Sequence, residues 1–234
     1  MKVQLISHTP LPIKVIYLAC RTCYSKAGPL SQSDVPENKM LSLIRKTILS
    51  GHHSVLEHAS FTFGVEGISR VSTHQLVRHR HASYAQQSQR YVEYDAGSIN
   101  FIKPKKIKNK KRYERMINSL FEFYQEMLED GVPAEDARYI LPNATPTNIM
   151  VTMNYREIMQ FCNLRLCYRA QWEILDLAKA MKKEIIRISS FLGSFLEPKC
   201  QLQGYCAEDD CCGHYKFAAE SVVVKKERRK KWDM

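Results

Sequence analysis

The chain has 234 residues, 44% of them hydrophobic, and a formal net charge of +11, enough for one domain with a substantial core and a small appendage. No apolar run reaches the eighteen or so residues that span a bilayer. His8, Pro10 and Pro12 break up the N-terminal apolar stretch, which makes it a poor signal peptide. A cytoplasmic protein is the default, and its eight cysteines then read as reduced thiols rather than a disulfide framework.

Residues 2–7 alternate weakly through Val3 and Leu5 and open a sheet. A helix begins at Pro36, with Met40, Leu41, Ile44 and Ile48 on one face and Gly51 at its end. Residues 59–65 alternate at Phe61, Phe63 and Val65 as a half-buried strand. A helix from about Ile68 then runs into R-H-R-H-A-S-Y-A-Q-Q-S-Q-R (78–90), and on it His74 and Gln75 share a face with Arg78. This segment holds three arginines and no lysine beside a Ser-Gln-rich turn. Arginine's planar fork stays charged and grips phosphate or carboxylate in a bidentate manner, so the segment reads as a site for a polyanionic small molecule.

Residues 103–115 carry eight basic residues and one Glu, and residues 225–231 carry six and one. These two blocks account for more than the whole net charge, leaving the rest of the chain close to neutral. Such blocks are usually solvated faces or tails. Tyr113, Met116, Ile117, Leu120, Tyr124 and Met127 trace a long amphipathic helix, stopped by Gly131 and Pro133. Pro133 opens a short helix carrying Arg138, and Ile149, Val151 and Met153 alternate as a strand. A helix from Tyr155 to about Leu166 carries Arg156, Gln160, Asn163 and Arg165. The last long helix starts near Ala170, with Trp172, Leu175, Ala178, Met181 and Ile185 inward. Strands are few and do not alternate strictly with helices. The expected class is therefore α+β: a single domain with a mixed or antiparallel sheet flanked by several long helices.

Neither G-x-G-x-x-G nor a P-loop is present, so no glycine-rich turn holds a dinucleotide. Cys200, Cys206, Cys211, Cys212 and His214 fall within fifteen residues. Their C-x5-C-x4-C-C-x-H spacing is not that of a zinc knuckle or ribbon, so no metal site is assigned. Cys20 and Cys23 form a C-x-x-C without a thioredoxin context, a weak redox signal.

The R-H-R-x7-S spacing from Arg78 to Ser88 resembles the signature of the flavin-dependent thymidylate synthases. G-H-H-S-V-L-E-H-A-S-F-T-F (51–63) resembles that family's G-H-x-[ST]-x-x-E-H-x-x-F-T-F segment. E-D-A-R-Y-I-L-P (135–142) is similar to its A-R-x-x-L-P segment, and M-N-Y-R-E-I-M-Q-F-C-N-L-R (153–165), followed by A-Q-W-E-I, to its N-x-R…N-L-R segment. The blocks lie in the family's order and cover roughly residues 1–195.

The resemblance implies reductive methylation of dUMP to dTMP. Methylenetetrahydrofolate gives the carbon and NAD(P)H reduces a bound FAD, in a homotetramer whose active sites are shared between subunits. It carries over dUMP contacts to Gln75, Leu76, Val77, Arg78, Gln86, Gln87, Ser88, Gln89, Arg90, Arg138 and Arg165. FAD contacts fall on Ser54, Arg78, His79, Arg80, Gln86, Asn154, Tyr155, Arg156 and Gln160. Ser88 and Arg90 are aimed at the phosphate, and Arg165 is the catalytic residue that favours ionisation of the pyrimidine. The domain boundaries implied are 1–198 for the catalytic domain and 199–234 for the Cys-rich segment and basic tail. Partners are dUMP, folate and a nicotinamide nucleotide, with no membrane and no nucleic acid. The sequence departs from the fuller motif R-H-R-x-x-S-x-N-E-x-S-x-R at Ala85 and Gln86, which puts an acid-base role there in doubt. Two rival readings are a nucleic-acid-binding protein built on the basic segments and a zinc-dependent regulator built on the cysteine tail. Against the first, the arginine cluster lies apart from the lysine blocks and no nucleic-acid module is legible.

Overall fold

A computed structural model describes residues 1–26, 28–31, 35–94, 101–208 and 211–214. The basic block at 225–231 therefore lies outside the described residues. Four strands, β1 (Lys2–His8), β2 (Ser60–Ser69), β3 (Ala82–Gln86) and β4 (Pro146–Asn154), form one antiparallel sheet in the order β1-β2-β4-β3. The register of β1 on β2 is fixed at its far end, where Thr9 N donates to Ser60 O over 2.9 Å. At the near end Met1 stands opposite Gly67. Along β2 the buried residues alternate at Phe61, Phe63 and Val65 before Ile68 and Ser69 at its end, and along β4 they are Thr147, Ile149, Val151 and Met153. Period-two burial of this kind gives a sheet one covered face.

Nine helices occur among the described residues: α1 (Pro12–Tyr24), α2 (Glu37–Leu49), α3 (Arg70–Leu76), α4 (Lys110–Glu129), α5 (Ala134–Ala137), α6 (Tyr155–Arg165), α7 (Trp172–Ile188), α8 (Ser190–Gly193) and α9 (Lys199–Gln203). The α+β, single-domain class expected from the sequence is the one observed. Among the described residues, packing groups 1–4 with 63–152, and 5–62 with 153–214. β1, β2 and β4 each pass from one group to the other within their own length.

In the first group α4 supplies Ile117, Phe121 and Tyr124 to an aromatic core with Tyr94, Phe101 and Ala137. The helix starts earlier than expected, at Lys110, because the Asn109 side chain caps it by accepting from Arg112 N over 2.9 Å. Lys110, Lys111, Arg112 and Arg115 of the basic block are thus its exposed first turns. In the second group the inward faces of α6 (Ile158, Phe161, Cys162) and α7 (Ile174, Leu177, Ala178, Met181, Ile185) are fully buried.

Four expectations need correcting. The chain forms α1 where no helix was expected: Pro12 occupies its first turn, where a missing N–H costs nothing, and Ile16, Tyr17 and Cys20 are buried. The Ser-Gln-rich "turn" begins as a strand, β3, paired to β4. The helix before it ends at Leu76, so Arg78 does not share a helical face with His74 and Gln75. On α7 the inward face turns towards Ile174 and Leu177, and Trp172 and Leu175 are only half-buried.

Candidate active site

In the first packing group, α3 is capped by Ser69 Oγ, which accepts from Ser72 N over 3.1 Å. The turn after α3 is pinned by Tyr84 of β3, whose hydroxyl lies 2.8 Å from both the Leu76 and the His79 carbonyl oxygens. This pin presents Val77, Arg78 and Arg80 to solvent and leaves the Leu76 and His79 side chains buried. At the end of β3, Gln86 Nε2 donates to Thr73 Oγ1 (3.1 Å) and reaches Thr147 Oγ1 (3.5 Å). Both threonines are buried. Next to it Gln87 N donates to Asn148 O over 2.9 Å, leaving Gln87, Ser88 and Gln89 half-buried.

Ser88 Oγ accepts from Arg90 N over 3.2 Å, which curls the chain into a small turn. Arg90 Nε meets Glu135 Oε2 at 2.7 Å. Arg138, one turn along, donates from Nε to the Glu135 carbonyl over 3.0 Å. Arg70 stands near Arg138 and Tyr94; burial pushes its guanidinium pKa down, Tyr94 opposes this and Arg138 adds to it. The group thus gathers Arg70, Arg90 and Arg138 about α5, with the Glu135 carboxylate on Arg90 and the Glu135 backbone carbonyl on Arg138. Arg90 and Glu135 are each about half exposed, so the ion pair is weak and readily exchanged.

In the second group, Ser54 is exposed in the 3-10 turn His53–His58. It lines a groove of about 450 Å³ with Val15, Leu18, Ala19, Val55 and His58. Asn154 caps α6, its side chain accepting from Glu157 N over 2.9 Å. Tyr155 is core: its N donates to Ala59 O (2.7 Å) and its hydroxyl to Leu192 O (2.6 Å), and burial raises its pKa well above the usual phenol range. Arg156 and Gln160 are exposed one turn apart, with Arg156 Nη1 on Glu57 Oε1. Arg165, half-buried at the end of α6, lines an open cleft of about 480 Å³ with Asn163, Cys167, Arg169, Lys199, Cys200 and Cys206. The buried Asn163 Oδ1 has no hydrogen-bond partner among the described residues. On the inner face of α6 burial pushes the Cys162 thiol up to about 12, with Lys182 lowering it and Glu197 raising it.

The family described as thymidylate synthase complementing protein matches residues 4–189. The flavin-dependent thymidylate synthase of Geobacter sulfurreducens is 45% identical over 218 residues, covering 89% of this chain and 91% of that one. The chain belongs to the flavin-dependent thymidylate synthase family. The Pyrococcus furiosus member is 38% identical over 244 residues, covering 100% of this chain and 97% of its own. The solved thymidylate synthase X of Helicobacter pylori with FAD and dUMP superposes with a TM-score of 0.72 at 26% identity, covering 84% and 99% of the two chains.

Among the residues carried over from the thymidylate synthases, the structure brings together Arg90 and Arg138 in one group, and Arg165 lines a cleft in the other. It places the side chains of Leu76, His79 and Tyr155 in buried positions. Sequence reasoning missed Arg70 and the two acid partners, Glu57 and Glu135, although both acids stood inside quoted motif blocks. An Arg and a Glu that meet only through the fold leave no spacing signal.

Proposed function

We propose that this protein converts dUMP to dTMP by FAD-dependent reductive methylation, taking the carbon from methylenetetrahydrofolate and reducing equivalents from NAD(P)H. The observation that carries this reading is the guanidinium group around Glu135, in a chain matched to the family over residues 4–189. A nucleotide phosphate displaces the Glu135 carboxylate and takes over Arg90 and Arg138, making charge-assisted hydrogen bonds to both guanidiniums where the carboxylate meets Arg90. Ser88 assists: its oxygen already accepts from Arg90 N, so its hydroxyl hydrogen is available to the phosphate. Gln75, Val77 and Arg78 border the same nucleotide, with Leu76 contributing only backbone, as do the half-buried Gln87 and Gln89.

The donor set also fits FAD. Arg78 and Arg80 are exposed cations suited to a diphosphate, and Ser54 opens onto an apolar groove. Arg156 and Gln160 add a cation and an amide on one exposed helical face. When bound, the reduced flavin supplies the hydride. Arg165 stabilises negative charge on the pyrimidine ring and so raises nucleophilicity at its C5 carbon, an electrostatic role rather than a proton transfer.

The catalytic body is residues 1–198 with 199–234 appended, and the protein is a cytoplasmic homotetramer with shared sites. Support for the oligomer comes from large exposed apolar side chains beside the arginines, Tyr91 at 78% and Tyr139 at 86% exposure. Among the described residues no helix is long and apolar enough to cross a membrane. The test is the visible spectrum of the purified protein together with dTMP formation from dUMP, methylenetetrahydrofolate and NADPH. A flavin spectrum bleached by NADPH, with product formed, is the expected result. A colourless protein that takes up no FAD and forms no dTMP would overturn the reading.

A further inference from the structure

Residues 103–115 carry eight cations, and the chemistry above uses none of them. All eight, from Lys103 to Arg115, are exposed. The stretch holds one acid, Glu114, which pairs with Lys103 over 2.8 Å. Among the described residues Lys106, Lys108, Lys110, Lys111, Arg112 and Arg115 have no ion-pair partner. The fold nevertheless fixes the path of the backbone that carries them. Phe101 is buried just before it, Ile102 N donates to Ala144 O over 2.9 Å, and the Tyr113 hydroxyl donates to Ile102 O over 3.2 Å. Ile117 and Phe121 of α4 then pack with Ala137, and Arg138 is the next residue. The strip therefore stands on the same core as a phosphate arginine.

A second feature sets the strip apart from an ordinary solvated face. Lys110, Lys111 and Arg112 fill the first turn of α4, which holds no acid. A helix N-terminus is its positive end, so three cations there destabilise the helix and repel one another. An oligoanion bound beside them turns the same placement into attraction. The composition also narrows which oligoanion fits. Six of the eight cations are lysines, point charges on flexible stems that lack the planar fork matched to phosphate. The nearest rings, Phe101 and Tyr113, pack edge to face at 6.0 Å against the core, so they offer no exposed platform for a base to stack on. A string of carboxylates at adjustable spacing suits such a surface better than a nucleic acid does.

We propose that residues 103–115 hold the oligo-γ-glutamyl tail of the folate co-substrate, so that the protein prefers long-chain methylenetetrahydrofolate to its monoglutamate. The inference rests on the folate-dependent reading given under the proposed function. Each added γ-glutamyl residue brings one carboxylate. The folate must deliver its carbon to the pyrimidine of a nucleotide whose phosphate Arg90 and Arg138 hold, in the packing group that also carries the strip. Exposed lysines attract the tail without touching the pterin or the methylene carbon. The tail therefore changes the KM for folate and leaves kcat alone.

The test is steady-state dTMP formation from monoglutamyl and pentaglutamyl methylenetetrahydrofolate, by the unaltered protein and by a variant combining Lys106→Gln, Lys110→Gln and Lys111→Gln. In the unaltered protein the added carboxylates, each in a weak exposed ion pair, should lower KM roughly tenfold at equal kcat. Salt at ~0.5 M should erase that difference. In the variant the pentaglutamate KM should rise towards the monoglutamate value, which should itself stay unchanged. The variant should also unfold at the same temperature or higher, because it loses cations from the positive end of α4; this separates a lost tail contact from a damaged fold. Equal KM values for the two folates in the unaltered protein, or a preference that survives in the variant, would overturn the proposal. So would an oligonucleotide bound more tightly than free penta-γ-glutamate through the same three lysines. No dTMP from either folate would sink the underlying reading and the proposal with it, whereas dTMP formed at equal KM sinks the proposal alone.

Discussion

At the scale of single residues, Gln86 shows how finely one hydrogen can set a preference. Thr73 spends its hydroxyl hydrogen on the Arg70 carbonyl, 3.0 Å away, and so can only accept from Gln86. An amide satisfies that arrangement and a carboxylate does not. The related motif carries Glu at this position, and this chain carries the residue its own threonine requires. Gln86→Glu is expected to lower stability by about 1–3 kcal/mol at neutral pH through an unpaired buried acceptor. The folded-state pKa of the new carboxyl is raised, since only its protonated form can donate to Thr73. The variant should therefore be near wild type at low pH and lose stability as pH rises through that pKa. Urea unfolding at pH 5 and pH 8 checks this, and an equal loss at both would refute it. Arginine chemistry was legible in the sequence because residue type alone carries it. The Gln86–Thr73–Arg70 chain was not, because its direction depends on which group holds each hydrogen.

At the scale of elements, α6 divides its labour between faces. Its inner face supplies Ile158, Phe161 and Cys162 to the core, and its outer face carries Arg156 and Gln160. Asn154 sets where the helix starts. Asn154→Ala is expected to cost about 1 kcal/mol by loss of the cap, and Asn154→Asp to keep most of it. Chemical denaturation of the three proteins decides this; equal midpoints for Ala and Asn would remove the capping role. The amphipathic α2, α4 and α7 could be read from apolar spacing alone. β3 could not: its residues alternate only between exposed and half-buried, so no apolar period marks it. α1 was hidden for a different reason, since Pro12 looks like a breaker although the first turn tolerates it.

At the scale of the whole molecule, the arginines assigned to dUMP belong to separate packing groups, Arg90 and Arg138 to one and Arg165 to the other. If active sites are shared between subunits, Arg90→Ala and Arg165→Ala should complement one another. Each variant alone should be nearly inactive, and subunits mixed through mild denaturation should regain roughly a quarter of wild-type sites, the statistical share in which both arginines are intact. No recovery in mixed assemblies would place both arginines on one subunit. Assembly at this scale was legible only through family resemblance, because a surface patch such as Tyr91 and Tyr139 does not name what covers it. The strand order has a consequence for synthesis. β4 pairs with both β2 and β3, yet it is made last, about 85 residues after β2 ends. At ~5–20 residues per second, a nascent chain therefore carries β2 with an open edge for roughly 4–17 s, joined by β3 for most of that time. Unpaired strand edges are templates for wrong partners, so this interval on the ribosome, rather than the finished sheet, is the stage at which the protein is most exposed to aggregation.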